Sequence, residues 1–106
     1  MPDDQAPSRP RELNAGFEQN VRILTRDMVT GRLVIAARGL LDWGQAELAE
    51  RAGIRRQTLA ELEGDIRRPQ VRVRDAVLST LENEGVRFVD IGGAWGPVLN
   101  FSSRQS

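Results

Sequence analysis

The chain has 106 residues, a formal net charge of zero and about two-fifths hydrophobic residues, which supports one small domain of modest burial and favours a dimer as its stable form. Cysteine, histidine, lysine and tyrosine are all missing, so disulfides, thiolate and imidazole metal sites, imidazole bases and Schiff-base chemistry are excluded. No apolar run approaches the roughly 18 residues of a membrane span, and the amino terminus lacks a secretory pattern, so the sequence predicts a soluble, cytoplasmic, non-enzymatic protein without a cofactor or metal.

Residues 1–12, MPDDQAPSRPRE, are rich in proline and charge and predict a disordered tail. Leu13, Phe17, Val21 and Leu24 then recur at helical spacing, which reads as a short amphipathic helix in an N-terminal extension over 13–27. Gly16 and the β-branched Val21 and Ile23 oppose that helix and leave a strand over 21–25 as the alternative. Thr30 is placed to cap a first core helix over 31–41, with Leu33, Val34, Ala37, Leu40 and Leu41 as its inward stripe and Asp42-Trp43-Gly44 as its exit. A second helix over 45–51 buries Leu48, Ala49 and Ala52, and a third over 55–63 buries Leu59 and Leu62. Pro69 blocks any continuation and opens a fourth helix over 70–83, facing inward through Val73, Val77 and Leu81 with Ala76 and Leu78, and stopped by Gly85. Beyond Gly85, Val86, Phe88 and Asp90 on one face alternate against Arg87, Val89 and Ile91 on the other, and a Gly-Gly-Ala-Trp-Gly-Pro corner follows, which predicts a β-hairpin over 86–101. A lone hairpin is marginal in water, so this one must lean on the helices or on a second chain. Trp95 and Phe101 are candidates for either role, and residues 102–106 read as a frayed end.

The zero net charge conceals a separation. Between Arg51 and Arg74 stand seven arginines and three acids, a local excess of four positive charges that the rest of the chain offsets. Such a layout suits one basic face on a molecule that otherwise avoids polyanions, and a solvated charged surface is the competing reading. The second and third helices meet at Ala52-Gly53-Ile54. Ala49 is small enough for a close crossing, Gly53 can take the positive φ of a tight corner, and Leu48, Ala52, Ile54, Leu59 and Leu62 are spaced to share a core beneath it. These spacings predict a helix-turn-helix unit and leave Arg55, Arg56, Gln57, Ala60, Glu61 and Gly64 on the outer face of the third helix.

The stretch QAELAERAGIRRQTLAELEGDIRRP carries Gln-x-x-Leu-Ala-x-x-Ala-Gly-Ile, then Thr-Leu-x-x-Leu-Glu, then Arg-Pro. In these residues and spacings it resembles the helix-turn-helix of the phage-repressor or Xre-like transcriptional regulators, and the likeness runs without gaps over about 28–88. The resemblance implies a mainly α, lambda-repressor-like DNA-binding domain of four to five helices over 28–85, followed by the short C-terminal β-hairpin, with the third helix in the major groove of double-stranded DNA. It assigns base contacts to Arg56, Gln57 and Glu61. Arg55 joins them, although relatives often carry Ser or Thr there and a phosphate contact is the alternative. Phosphate contacts fall to Gln45, Thr58, Arg67, Arg68 and Arg72. Chemically, Arg56 suits guanine O6 and N7, Gln57 suits adenine N6 and N7, and Glu61 can accept from cytosine N4. The competing reading of Glu61 is a surface ion pair, and that of Arg67, Arg68 and Arg72 is an ordinary solvated face. The family also commonly joins the positions of Arg38 and Glu63 by an ion pair, a structural role. One departure is that Gly64-Asp65 stand in reversed order, which leaves Asp65 to take a left-handed turn. The resulting expectation is a homodimeric regulator, by default a repressor, of bacterial or phage origin and bound at the nucleoid. A protein-binding or antitoxin-like module is the alternative.

Overall fold

In a computed structural model of the protein, residues 20–66 and 68–100 are described. In chain order they form β1 (Val21–Ile23), a 3-10 turn at Arg26–Met28, α1 (Gly31–Leu41), α2 (Gln45–Ala52), α3 (Arg56–Glu63), α4 (Val71–Asn83), β2 (Val86–Ile91) and β3 (Ala94–Leu99). The expected tails over 1–12 and 102–106, together with Leu13, Phe17, Arg67 and Phe101, lie outside the described residues. The architecture is mainly helical, four helices beside one antiparallel sheet of order β1-β2-β3. No helix among the described residues is long and apolar enough to cross a membrane.

Each helix ends where local chemistry tells it to. Thr30 caps α1 by accepting from the Leu33 backbone N–H at 3.4 Å, and Asp42 closes it in the left-handed region at φ 59°. Gly53 turns the α2–α3 corner at φ 73°, and the Ile54 N–H reaches back to the Ala49 carbonyl at 3.0 Å. After α3, Gly64 keeps helical φ and Asp65 takes the left-handed residue at φ 52°. Asp65 is held there because its Oδ1 accepts from the Gly31 N–H at 3.1 Å. Gly31 is needed at that contact: a Cβ would collide with the carbonyl oxygens of Leu62 and Glu63. The start of α1 and the end of α3 are thereby locked together.

The core lies where the inward faces of the four helices meet β2. Leu48, Leu59, Leu78 and Leu81 are fully buried, each contributing roughly 1.5–3 kcal/mol by leaving water. Leu24, Val34, Ala37, Leu41, Ala49, Leu62, Val77, Val86 and Phe88 complete it. Leu40 does not belong to it, contrary to the expected stripe, and is 44% exposed. The buried line on α1 is Gly31, Val34, Ala37 and Leu41, and Leu40 sits about 100° round the helix from Leu41.

The segment before α1 departs from the helical expectation. Val21–Ile23 is a strand paired with β2, with Val21 opposite Ile91 and Ile23 opposite Val89. Leu24 follows it inward and donates its N–H to the Phe88 carbonyl at 2.9 Å. Two β-branched residues and a partner strand outweigh the helical spacing. Val89, expected to point outward, is buried because β2 is the central strand, with Ile23 and Gly96 as its register partners. The corner expected over 92–97 is only Gly92-Gly93, whose φ values of 59° and 95° suit a two-residue hairpin turn. Asp90 fastens it by accepting from the Gly93 N–H at 2.8 Å. Pro97 therefore lies within β3, an edge strand, where a missing N–H is tolerated.

Candidate nucleic-acid interface

The α2–α3 corner presents three side chains that the core does not use. Arg55 is the residue before α3, and Arg56 and Gln57 form its first turn; all three are exposed. An α-helix leaves its first N–H groups unpaired and carries partial positive charge at that end, so proteins usually place an acid there. The first turn of α3 has none, and Arg55, its N-cap residue, supplies no side-chain cap. The first turn of α4 likewise lacks an acid and contains Arg72. The first turn of α1 also lacks an acid and carries Arg32, but Thr30 and Asp65 accept from its N–H groups; the starts of α3 and α4 add cations to ends already positive with no such acceptor, an arrangement that costs stability unless an anion comes from outside.

The two starts are neighbours. A depression of about 320 Å³ has Arg55, Thr58 and Arg72 on its wall with Ile54 and Val73. Beside it, a cleft of about 290 Å³ between α3 and α4 brings together Thr58, Glu61, Arg68, Gln70 and Arg72. Arg55, Arg68, Arg72 and Glu61 have no ion-pair partner among the described residues. Gln70 belongs to this group although sequence reading misses it. Its signal is position, since it is the residue between Pro69 and the first residue of α4.

Behind the exposed face lies a polar brace. The Arg38 guanidinium donates to both Glu63 oxygens, Nε to Oε2 at 2.7 Å and Nη2 to Oε1 at 3.1 Å, and a third donor, Gln45 Nε2, reaches Oε1 at 2.9 Å. Glu63 is only 4% exposed, and a carboxylate taken from water needs this many donors. Gln45 then accepts from Arg56 Nε at 3.4 Å. The Gln45 side chain thus bridges Glu63 and Arg56, while the start of α2, capped only by Gly44, retains its backbone N–H groups. Arg51, the first cation of the basic stretch, faces elsewhere: it pairs with Glu47 at 3.0 Å and lies 4.4 Å over the Trp43 ring. Arg74, the last, has Asp75 Oδ1 at 3.7 Å.

A scan against models of known protein families finds no match, and a search of curated protein sequences finds none either.

Proposed function

We propose that this chain is a sequence-specific, double-stranded DNA-binding transcriptional regulator of the phage-repressor or Xre-like kind, with α2 and α3 as its helix-turn-helix and no enzymatic activity. The observation that carries this reading is the pair of acid-free helix starts, α3 and α4, whose Arg55 and Arg72 share one surface and have no ion-pair partner among the described residues. A phosphate backbone supplies the missing anion, and the counterions it releases drive binding. In this reading α3 enters the major groove. Arg55, Arg56, Gln57 and Glu61 face base edges, while Gln45, Thr58, Arg67, Arg68 and Arg72 hold phosphates. The Arg38–Glu63–Gln45 brace orients the helix that carries the readers. One such small surface falls short of regulatory affinity, so two copies bind half-sites about 34 Å apart, with repression as the default outcome and the nucleoid in the cytoplasm as the place of action.

Selection of bound duplexes from a random pool, followed by affinity measured against salt, tests this. The expected result is an enriched, two-fold symmetric motif and a log-log salt slope near −0.9 per neutralised phosphate. Absence of a retarded duplex even in dilute buffer overturns it. A protein-binding or antitoxin-like module is the second reading, favoured by the apolar outer side of the sheet, where Val21, Ile23 and Val98 are exposed. A complex made through that side responds little to salt.

A further inference from the structure

A hollow of about 640 Å³ opens between the Arg26–Met28 turn, the start of α1, the loop after α3 and the first turns of α4. That volume falls within the roughly 300–1,000 Å³ typical of small-molecule sites. Its floor is the hydrophobic core itself, through Val34, Leu62, Val77 and Leu78. At its rim stand Ile66 and Val71, 71% and 60% exposed, two of the three most exposed large hydrophobic residues among those described. Apolar side chains scattered singly over a surface need no explanation, but two flanking one opening onto the core do.

The polar groups of the hollow are unequal. Asp65 is committed to the Gly31 N–H. Asp27 is committed too: a hydrogen bond from Thr25, then its own backbone N–H and the charges of Arg74 and Arg68, hold its carboxyl below the usual carboxylate range. The cations on the wall are Arg68 and Arg74. Arg74 Nε is buried without a hydrogen-bond acceptor, and so is Asp75 Oδ1 without a donor, its ion-pair partner 3.7 Å away, while Arg68 is exposed.

We propose that this hollow binds a small amphiphilic anion, its apolar chain over Leu62, Ile66, Val71 and Val77 and its carboxylate or phosphate head against Arg68 and Arg74. Asp65 and Asp27 each already accept a hydrogen bond, whereas Arg68 has no ion-pair partner among the described residues, and the volume fits a small molecule. Arg68 also lines the α3–α4 cleft with Thr58, Glu61 and Arg72. A head group on Arg68 therefore competes with a DNA phosphate for one guanidinium, a regulatory consequence that rests on the DNA-binding reading above.

The test titrates decanoate, decyl phosphate and decanol, each below its micellar concentration, into the full chain and follows methyl and arginine Nε–H resonances by NMR. The expected result is that at least one of the two anions shifts Ile66, Val71 and Arg74 and binds about tenfold or more tightly than decanol, a difference of about 1.4 kcal/mol. Which anion binds more tightly identifies the head group. Arg74→Met should erase the preference for the anion, and Val71→Glu, at an exposed position, should weaken the anions more than decanol. Equal affinity for anion and alcohol, or shifts that fall away from Ile66 and Val71, overturns the proposal. On the duplex recovered by selection, the tighter anion should weaken binding, and Arg68→Ala should remove that effect; DNA affinity indifferent to the anion overturns the regulatory part. Failure to bind DNA without any anion counts against the DNA reading alone, because the NMR result needs no DNA.

Discussion

Arg26, Arg38 and Arg51 lie behind the α2–α3 corner, and Arg55, Arg68 and Arg72 lie in front of it. The first three each meet a carboxylate: Arg26 with Glu82 at 2.7 Å, Arg38 with Glu63 at 2.7 Å, Arg51 with Glu47 at 3.0 Å. The second three meet none among the described residues. Identical side chains thus serve two purposes, and the acids around them decide which. Behind the corner, Arg26 and Arg38 join elements separated in sequence and Arg51 pairs within α2; in front, the guanidinium groups stand without an ion-pair partner among the described residues, beside two helix starts that favour anions. A basic count along the chain overstates the front face, because Arg51 and Arg74 contribute to the count without belonging to that face.

The comparison breaks most visibly at Arg38. Arg38→Ala leaves the Glu63 carboxylate buried with Gln45 as its remaining side-chain donor, and urea denaturation should show a loss of about 3–5 kcal/mol with base preference retained. Unchanged stability together with a shifted site preference would move Arg38 to the front group. Next come two glycines of α1. Gly31→Ala forces a new methyl against the end of α3 and should cost roughly 1–3 kcal/mol, whereas a Cβ at Gly39 meets nothing within 4 Å. Gly39→Ala should stabilise by about 0.5–1 kcal/mol through helix propensity, as thermal unfolding of the pair will show.

Binding measurements sharpen the front side. Arg56→Ala should cost roughly 1–3 kcal/mol at one base position, while Arg68→Ala should weaken all sequences alike and flatten the salt slope by about one; uniform weakening by both variants removes the base-reading role. Arg51→Ala should leave DNA affinity unchanged and shift stability by less than about 1 kcal/mol, as befits an exposed pair. The smallest effect belongs to Asp27. Its carboxyl is depressed in the folded state, chiefly by Thr25, so its contribution is present above the ordinary value near 3.8 and is lost as pH falls through the lower folded value. An NMR titration should therefore show Thr25→Val raising the Asp27 midpoint, and an unmoved midpoint would discard Thr25 as the cause.

Helix boundaries, corner glycines and the inward residues of α2 to α4 were legible in the sequence, because each depends on neighbours within a turn or two. The ion pair between positions 38 and 63 was expected only by resemblance, since no local pattern links residues on different helices. Spacing reads Leu40 into the inward stripe of α1, and the packing of α1 along Gly31, Val34, Ala37 and Leu41 leaves it exposed. Asp65 could be read as the left-handed residue, yet the Gly31 N–H that fixes it lies 34 positions away.

What the amino-acid order determined by itself was the short-range part: which stretches coil, where they stop, and which arginines crowd together along the chain. What only the tertiary structure decided was which of those arginines keep a carboxylate and which face water. It also decided that Val21–Ile23 joins a sheet with a strand some 70 residues on, and that a hollow reaches the core beside Arg68 and Arg74. The physical reason is range: backbone propensity and capping act over a few residues, whereas charge pairing, strand pairing and packing depend on distances that exist only after the chain has closed on itself.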